Sequence, residues 1–190
     1  MRAERLEREF DLDVVWRPFE LHPEIPEGGV DRGEGRQRLE GYVSPIHALA
    51  VEEGLPYAPS RHTPNSHRAL EAAEFAREQG AYASFHRALF EAYFGRGENI
   101  GDVGVLTKLA VDGGLDAAAM EGALTSGRYA ARVNELTEES RQEGITGTPT
   151  YVFECGERRF PLVGAQDYAV FQNIAQRMGA GARRDAAPLP

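Results

Sequence analysis

The chain has 190 residues, 42% of them apolar, and carries 21 Lys plus Arg against 30 Asp plus Glu, a formal charge of -9. That length suits one domain or a compact domain with an insertion, and it supports a core that needs neither metals nor disulfides. The negative balance opposes the phosphate attraction behind nonspecific nucleic-acid binding. No run of about 18 apolar residues is present to cross a membrane, so neither nucleic acid nor membrane is an expected partner. The start, MRAERLEREF, has no apolar stretch of the kind a secretory signal needs, and a cytoplasmic location is expected. Cys155 is the single cysteine, which excludes an intramolecular disulfide, a thiolate metal cluster and a CxxC pair.

The charged segment 2–10 places Leu6 and Phe10 four residues apart, on one face of a helix. It reads as the last turns of a helix, because no capping residue precedes it. Val14, Val15, Trp16 and Phe19 predict a strand over 13–19, with Pro18 near its end or at a sheet edge. Residues 24–33 read as loop, 34–44 as charged and weakly helical, and 45–54 as a short helix opened by Pro45 and ended by Gly54. A second loop, 55–64, leads to a helix capped by Asn65 or Ser66, with Leu70, Ala73 and Phe75 inward.

Tyr82, Phe85, Leu89 and Tyr93 then repeat at helical spacing, predicting a buried stripe on a long helix ending at Gly95. Two short helices over 101–114 and 115–127 follow, with Asp102 and Asp116 in their first turns and glycine after each, and another helix over 129–144. TYVFEC (150–155) and RRFPLVG (158–164) read as strands joined by Gly156 and Glu157, at hairpin spacing. A last amphipathic helix covers 167–179, and 180–190 read as a disordered tail. This order requires a sheet covered by helices, with a helical insertion between its halves.

Four stretches carry a resemblance when taken in order: VVWRPFELHPEIPEGG (14–29), TPNSHRALEAAEFA (63–76), FHRALFEAYFGRGENIGDVGVL (85–106), and GITGTPTYVF with FPLVGAQ (144–166). Together they resemble the DsbA-like thioredoxin-fold family, in particular its FrnE-like branch of thiol oxidoreductases. That branch is itself similar to 2-hydroxychromene-2-carboxylate isomerases and kappa-class glutathione transferases. The resemblance implies an α/β, thioredoxin-like fold with a large helical insertion. Residues 1–30 would be a partial N-terminal half, 31–143 the insertion, and 144–179 the C-terminal half with its cis-proline loop, hairpin and helix.

By this resemblance Pro149 matches the family's cis-proline, with Thr148 presenting backbone groups to substrate; as plain chemistry, Gly-Thr-Pro-Thr is also a turn entering a strand. Asn65, Ser66, His67, Gly164 and Gln166 match positions bordering the same substrate groove. Taken as residues alone, Gly164 is a glycine turn before a capped helix, and His62, His67 and Glu71 make a poor metal set because only His67 and Glu71 share a helix face. No cofactor or metal is implied. The substrates implied are protein or small-molecule thiols and disulfides, glutathione among them.

The family also carries a central strand and a CxxC, or a serine in the isomerase branch, at the head of its first long helix. Met1 falls where the middle of that helix belongs, so the nucleophile and central strand are absent from this chain, and dithiol turnover is not expected of it. The absent strand would lie between 13–19 and 150–155, leaving ladder groups open to self-association. A gene start assigned too far downstream, a fragment that dimerises to refill its sheet, and a redox-inactive relative each account for this. Cys155 has no second thiol in its chain to resolve a mixed disulfide. Besides the oxidoreductase, the sequence leaves open a glutathione-dependent isomerase and a noncatalytic peptide-binding module.

Overall fold

A computed structural model gives the structure of residues 2–31, 45–58 and 60–183. The chain divides into two compact units, one made of its two ends, 1–17 with 140–190, and the other of the intervening residues 18–139. The segment expected to be weakly helical, 34–44, lies outside the described residues.

The end unit begins with α1 (Arg2–Glu9) and is completed by β3 (Thr150–Cys155), β4 (Arg158–Val163) and α8 (Tyr168–Met178). The two strands form an antiparallel hairpin, with Thr150 opposite Val163 and Cys155 opposite Arg158. Alternation sends Tyr151, Phe153 and Leu162 toward α8, where fully buried Phe171 receives them. The Tyr151 and Phe171 rings meet edge to face at 4.7 Å, and Leu6, Phe10 and Ala175 complete this core. An isolated hairpin is marginal in water, so this apolar layer is what holds it.

Polar contacts then fix the helices. The Glu9 carboxylate at the end of α1 accepts hydrogen bonds from Arg5 (2.7 Å), Tyr168 (2.8 Å) and Gln172 (3.0 Å). The Arg5 guanidinium lies 4.0 Å from the centre of the Tyr168 ring. At the other end of the hairpin, Arg158 donates to the Arg177 and Met178 carbonyls, satisfying acceptors that the end of α8 leaves open.

Two expectations fail in this unit. Residues 13–19 form no strand: exposure alternates as it would in one, with Val15 outward at 77% and Val14 and Trp16 half-buried. However, among the described residues no neighbouring strand shares a ladder with them, and a strand is defined by its ladder. The first four residues of the expected tail, 180–183, are also more ordered than their composition implies. Asp11 N–H donates to Gly181 O, Arg183 N–H to Glu9 O, and the Arg183 side chain to the Phe10 and Leu12 carbonyls. A β-bridge joins Phe10 to Ala182, so 180–183 belong to the fold because the end of α1 offers them acceptors. Residues 184–190 lie outside the described set.

The middle unit contains β1 (Val30–Asp31), α2 (Pro45–Glu52), β2 (His62–Thr63), α3 (His67–Glu78), α4 (Tyr82–Phe90), α5 (Val103–Asp112), α6 (Ala117–Thr125) and most of α7 (Ala130–Gln142). Its core is a helical cluster in which Ala72, Ala76, Ala92 and Ala110 are buried beside Leu106, Met120 and Phe85. Such small side chains allow close helix approach. Asp102 and Asp116 cap α5 and α6, accepting from Val105 and Ala119 N–H. The expected long helix to Gly95 is an α-helix only to Phe90, after which Glu91–Gly95 form a π-helical turn. Its phase change leaves Phe94 exposed beside half-buried Tyr93.

The loops around residues 30 and 62 were not expected to pair, yet β1 and β2 form a two-residue ladder, Val30 with Thr63 and Asp31 with His62. His62 Nδ1 lies 3.0 Å from Asp31. Gly29 is needed there: its φ is 74°, and a Cβ would fall 2.3 Å from the His62 ring.

Phe171→Ala removes the centre of the end-unit core, and a loss of about 3–5 kcal/mol in chemical denaturation is expected. Arg5 holds the Glu9 carboxyl below its ordinary range, aided by Tyr168 and Gln172 against the cost of burial. Its folded value thus lies below its unfolded one, so Glu9 contributes stability above about pH 4.5 that is lost as the pH falls through the folded value. The stability gap between wild type and Glu9→Gln should therefore be largest near neutral pH and shrink on acidification; a gap independent of pH would show that the carboxylate charge contributes nothing.

Candidate functional site

The proline at the entrance to β3 follows from local chemistry. Proline suits the first residue of a strand, where no ladder donor is required. The Thr148–Pro149 peptide bond is cis. Thr150 Oγ1 closes the turn by donating to Gly147 O (2.7 Å), and Gly164 N–H donates to Pro149 O (2.8 Å) just beyond the hairpin's last pair. Gly164 has φ 86°, a left-handed conformation that glycine adopts without strain. Gln166 folds back, its backbone N–H donating to Gly164 O and its side chain to Val163 O.

The fold thus brings Thr148, Pro149, Gly164 and Gln166 together at one end of the hairpin. Thr148, Pro149 and Gln166 are exposed. The result is a surface with a fixed backbone, a hydroxyl and an amide, and no charged group of its own. Its polar groups suit an extended chain or a small polar ligand, and it carries no thiol.

Cys155 is exposed, yet it sits at the opposite end of β3. Five residue steps of strand separate it from Thr150, about 17 Å at the usual rise. The one thiol of the chain is therefore out of reach of chemistry at Pro149. Nearby, Glu154 and Glu143 both bind Arg159, and Glu143 lies 3.7 Å from Arg17.

The remaining candidates, Asn65, Ser66 and His67, belong to the middle unit. Asn65 Oδ1 accepts from His67 N–H (2.8 Å), and so caps α3, while its Nδ2 donates to Ile25 O (2.6 Å). Ser66 occupies the position before the helix without a side-chain capping bond. His67 Nδ1 lies 3.1 Å from Glu20 Oε2, and Nε2 lies 3.7 Å from Glu71 Oε1. Glu20 was not singled out in the sequence, since 47 residues separate it from His67. The only local signal was the i,i+4 spacing of His67 and Glu71.

An open cavity of about 490 Å³ lies beside α3, lined by Glu27, Arg68, Asn99 and the turn from Gly101 to Gly104. Arg68 is paired with Glu27, and Asp102 caps α5, so these polar groups serve the fold. Among the described residues no group of His, Cys, Asp and Glu is placed to hold a metal ion, and no helix is long and apolar enough to cross a membrane.

The family model of the DSBA-like thioredoxin domain matches residues 1–176. YwbO, an uncharacterized protein of Bacillus subtilis (strain 168), is 29% identical over 160 residues, which cover 83% of this chain and 78% of that protein. The crystal structure of a probable DsbA oxidoreductase from Streptomyces coelicolor is similar across 100% of this chain and 85% of its own, with 25% identity and a TM-score of 0.79. A 2-hydroxychromene-2-carboxylate isomerase shares the fold over 94% of this chain and 85% of its own, at 18% identity and a TM-score of 0.69. A family match over nearly the whole length, with a hairpin entered through Thr148–Pro149, establishes that this chain belongs to the DsbA-like thioredoxin family.

Proposed function

We propose that these 190 residues form the substrate-binding body of a thiol–disulfide oxidoreductase of the FrnE-like branch, and that the thiol chemistry requires a cysteine pair they do not contain. The observation that carries this reading is the family match over residues 1–176, in a chain whose one thiol lies at the far end of β3 from the Thr148–Pro149 loop. Protein and small-molecule thiols or disulfides, glutathione among them, are the substrate class it assigns. An extended substrate lies along Thr148 and Pro149, with Gly164 and Gln166 beside it.

One cysteine limits the chemistry. A thiolate attacks a disulfide, forms one new sulfur–sulfur bond and expels one thiolate; a second thiol must then attack to free the enzyme. Cys155 has no such partner within the chain.

With dithiothreitol as reductant, the 190-residue protein should reduce insulin disulfides at the uncatalysed rate, and Cys155→Ser should leave that rate unchanged. Catalysed reduction abolished by Cys155→Ser would overturn the separation of binding from chemistry. The same substitution, at an exposed site, should change stability by no more than about 0.5 kcal/mol. A cysteine-free extended peptide should bind, as read by fluorescence anisotropy, and the double variant Thr148→Arg with Gln166→Ala should weaken it about tenfold. Unchanged affinity would remove substrate from this loop.

A further inference from the structure

The bond from Gly164 N–H to Pro149 O fixes the phase of the hairpin. In an antiparallel pair, residues that exchange ladder bonds alternate with residues whose N–H and C=O point outward. Pro149 and Gly164 are a bonded pair, so Tyr151 with Leu162 and Phe153 with Phe160 are bonded pairs too. The backbone groups of Thr150, Val152 and Glu154 therefore face away from β4, and those of Arg159, Pro161 and Val163 face away from β3.

The two outer edges are unlike. On β4, Pro161 has no N–H to offer, and Val163 O already accepts from the Gln166 side chain. Both features blunt an edge against further pairing. On β3 nothing is blocked: among the described residues, the backbone N–H and C=O of Thr150, Val152 and Glu154 have no hydrogen-bond partner. The Thr150 hydroxyl contributes to this. It closes the turn on Gly147 O, a bond that a β-turn ordinarily takes from the N–H of its fourth residue, and leaves that N–H free. Thr150 and Val152 are half-buried, where an unpaired ladder group is costly.

A row of outward N–H and C=O groups at strand spacing is matched by another extended backbone. We propose that the edge of β3 from Thr150 to Glu154 is a docking site for one extended strand of another polypeptide, which turns the hairpin into a three-stranded sheet. The side chains of β3 define that partner. Tyr151 and Phe153 lie on the apolar face, so the partner's residues on that face are β-branched or aromatic. Glu154 is exposed at the Cys155 end, so a basic residue fits opposite it, and proline is excluded along the paired length. The docking edge stands on the ladder geometry and does not depend on the oxidoreductase reading.

Amide hydrogen exchange on the full chain, read residue by residue, tests this. The probe is a synthetic peptide of about seven residues, alternating valine and threonine with a lysine at each end. In the protein alone the Tyr151 and Phe153 amides should exchange slowly and those of Thr150 and Val152 fast; saturating peptide should slow the latter two at least about tenfold. A twin peptide N-methylated along its backbone keeps the side chains, loses the donors, and should leave both amides fast. Val152→Pro removes an outward donor and no bond to β4, and should weaken peptide binding about tenfold. Absence of protection by the peptide, or equal protection by its twin, would overturn the proposal whether or not the variant folds. So would a slow Val152 amide in the protein alone. The edge would then already be paired, and with a second copy if the protection rises with protein concentration.

Discussion

The contact between the hairpin and α8 carries the end unit. A two-stranded sheet has one ladder and two open edges, and in water its backbone bonds barely offset the entropy of ordering it. Tyr151, Phe153 and Leu162 give it one apolar face, and Phe171 gives that face something to cover. The position of the Thr148–Pro149 loop follows, because Gly164 reaches Pro149 only when the hairpin's first and last residues are in register. The exposed Thr148–Pro149 turn is thus fixed by the apolar packing of the strands against α8.

The middle unit is stabilised differently. Its helices meet through alanines, and its larger groups, Phe75, Phe85, Leu106 and Met120, fill the space between them. Around this core buried carboxylates meet basic partners, Glu74 with Arg77 and Glu20 with His67, while exposed Glu78 binds buried Tyr129 and exposed Arg128. Buried charges add little net stability when paired but cost much when a partner is lost, so they fix geometry more than they contribute free energy.

Much of the fold was legible because its signals are local. The glycines after α5 and α6, the caps Asp102 and Asp116, and the turn at Gly156 and Glu157 each act within a few residues of where they lie in the chain. The features that escaped are nonlocal. Val14 to Phe19 have strand composition and strand-like alternation, but pairing depends on a neighbour the segment itself does not encode. The bonds of Arg183 reach back more than 170 residues to Phe10 and Leu12, so a polar, proline-ended tail concealed them. Among the candidate residues, the Thr148–Pro149 turn of the end unit was readable from sequence, while within the middle unit the engagement of Asn65 with Ile25 and of His67 with Glu20 appeared only once the chain had folded. The π-helical turn after Phe90 left no mark in a stripe whose spacing suits an α-helix.

The bond from Glu20 N–H to Thr137 Oγ1 spans 117 residues of sequence in 3.1 Å of space. It means that the middle unit begins and ends at nearly one point. A module with adjacent ends can be set into a host chain without stretching it, since the host needs to part its backbone at a single place. A change of length or surface inside the helical unit therefore need not move the two ends by which it joins the chain.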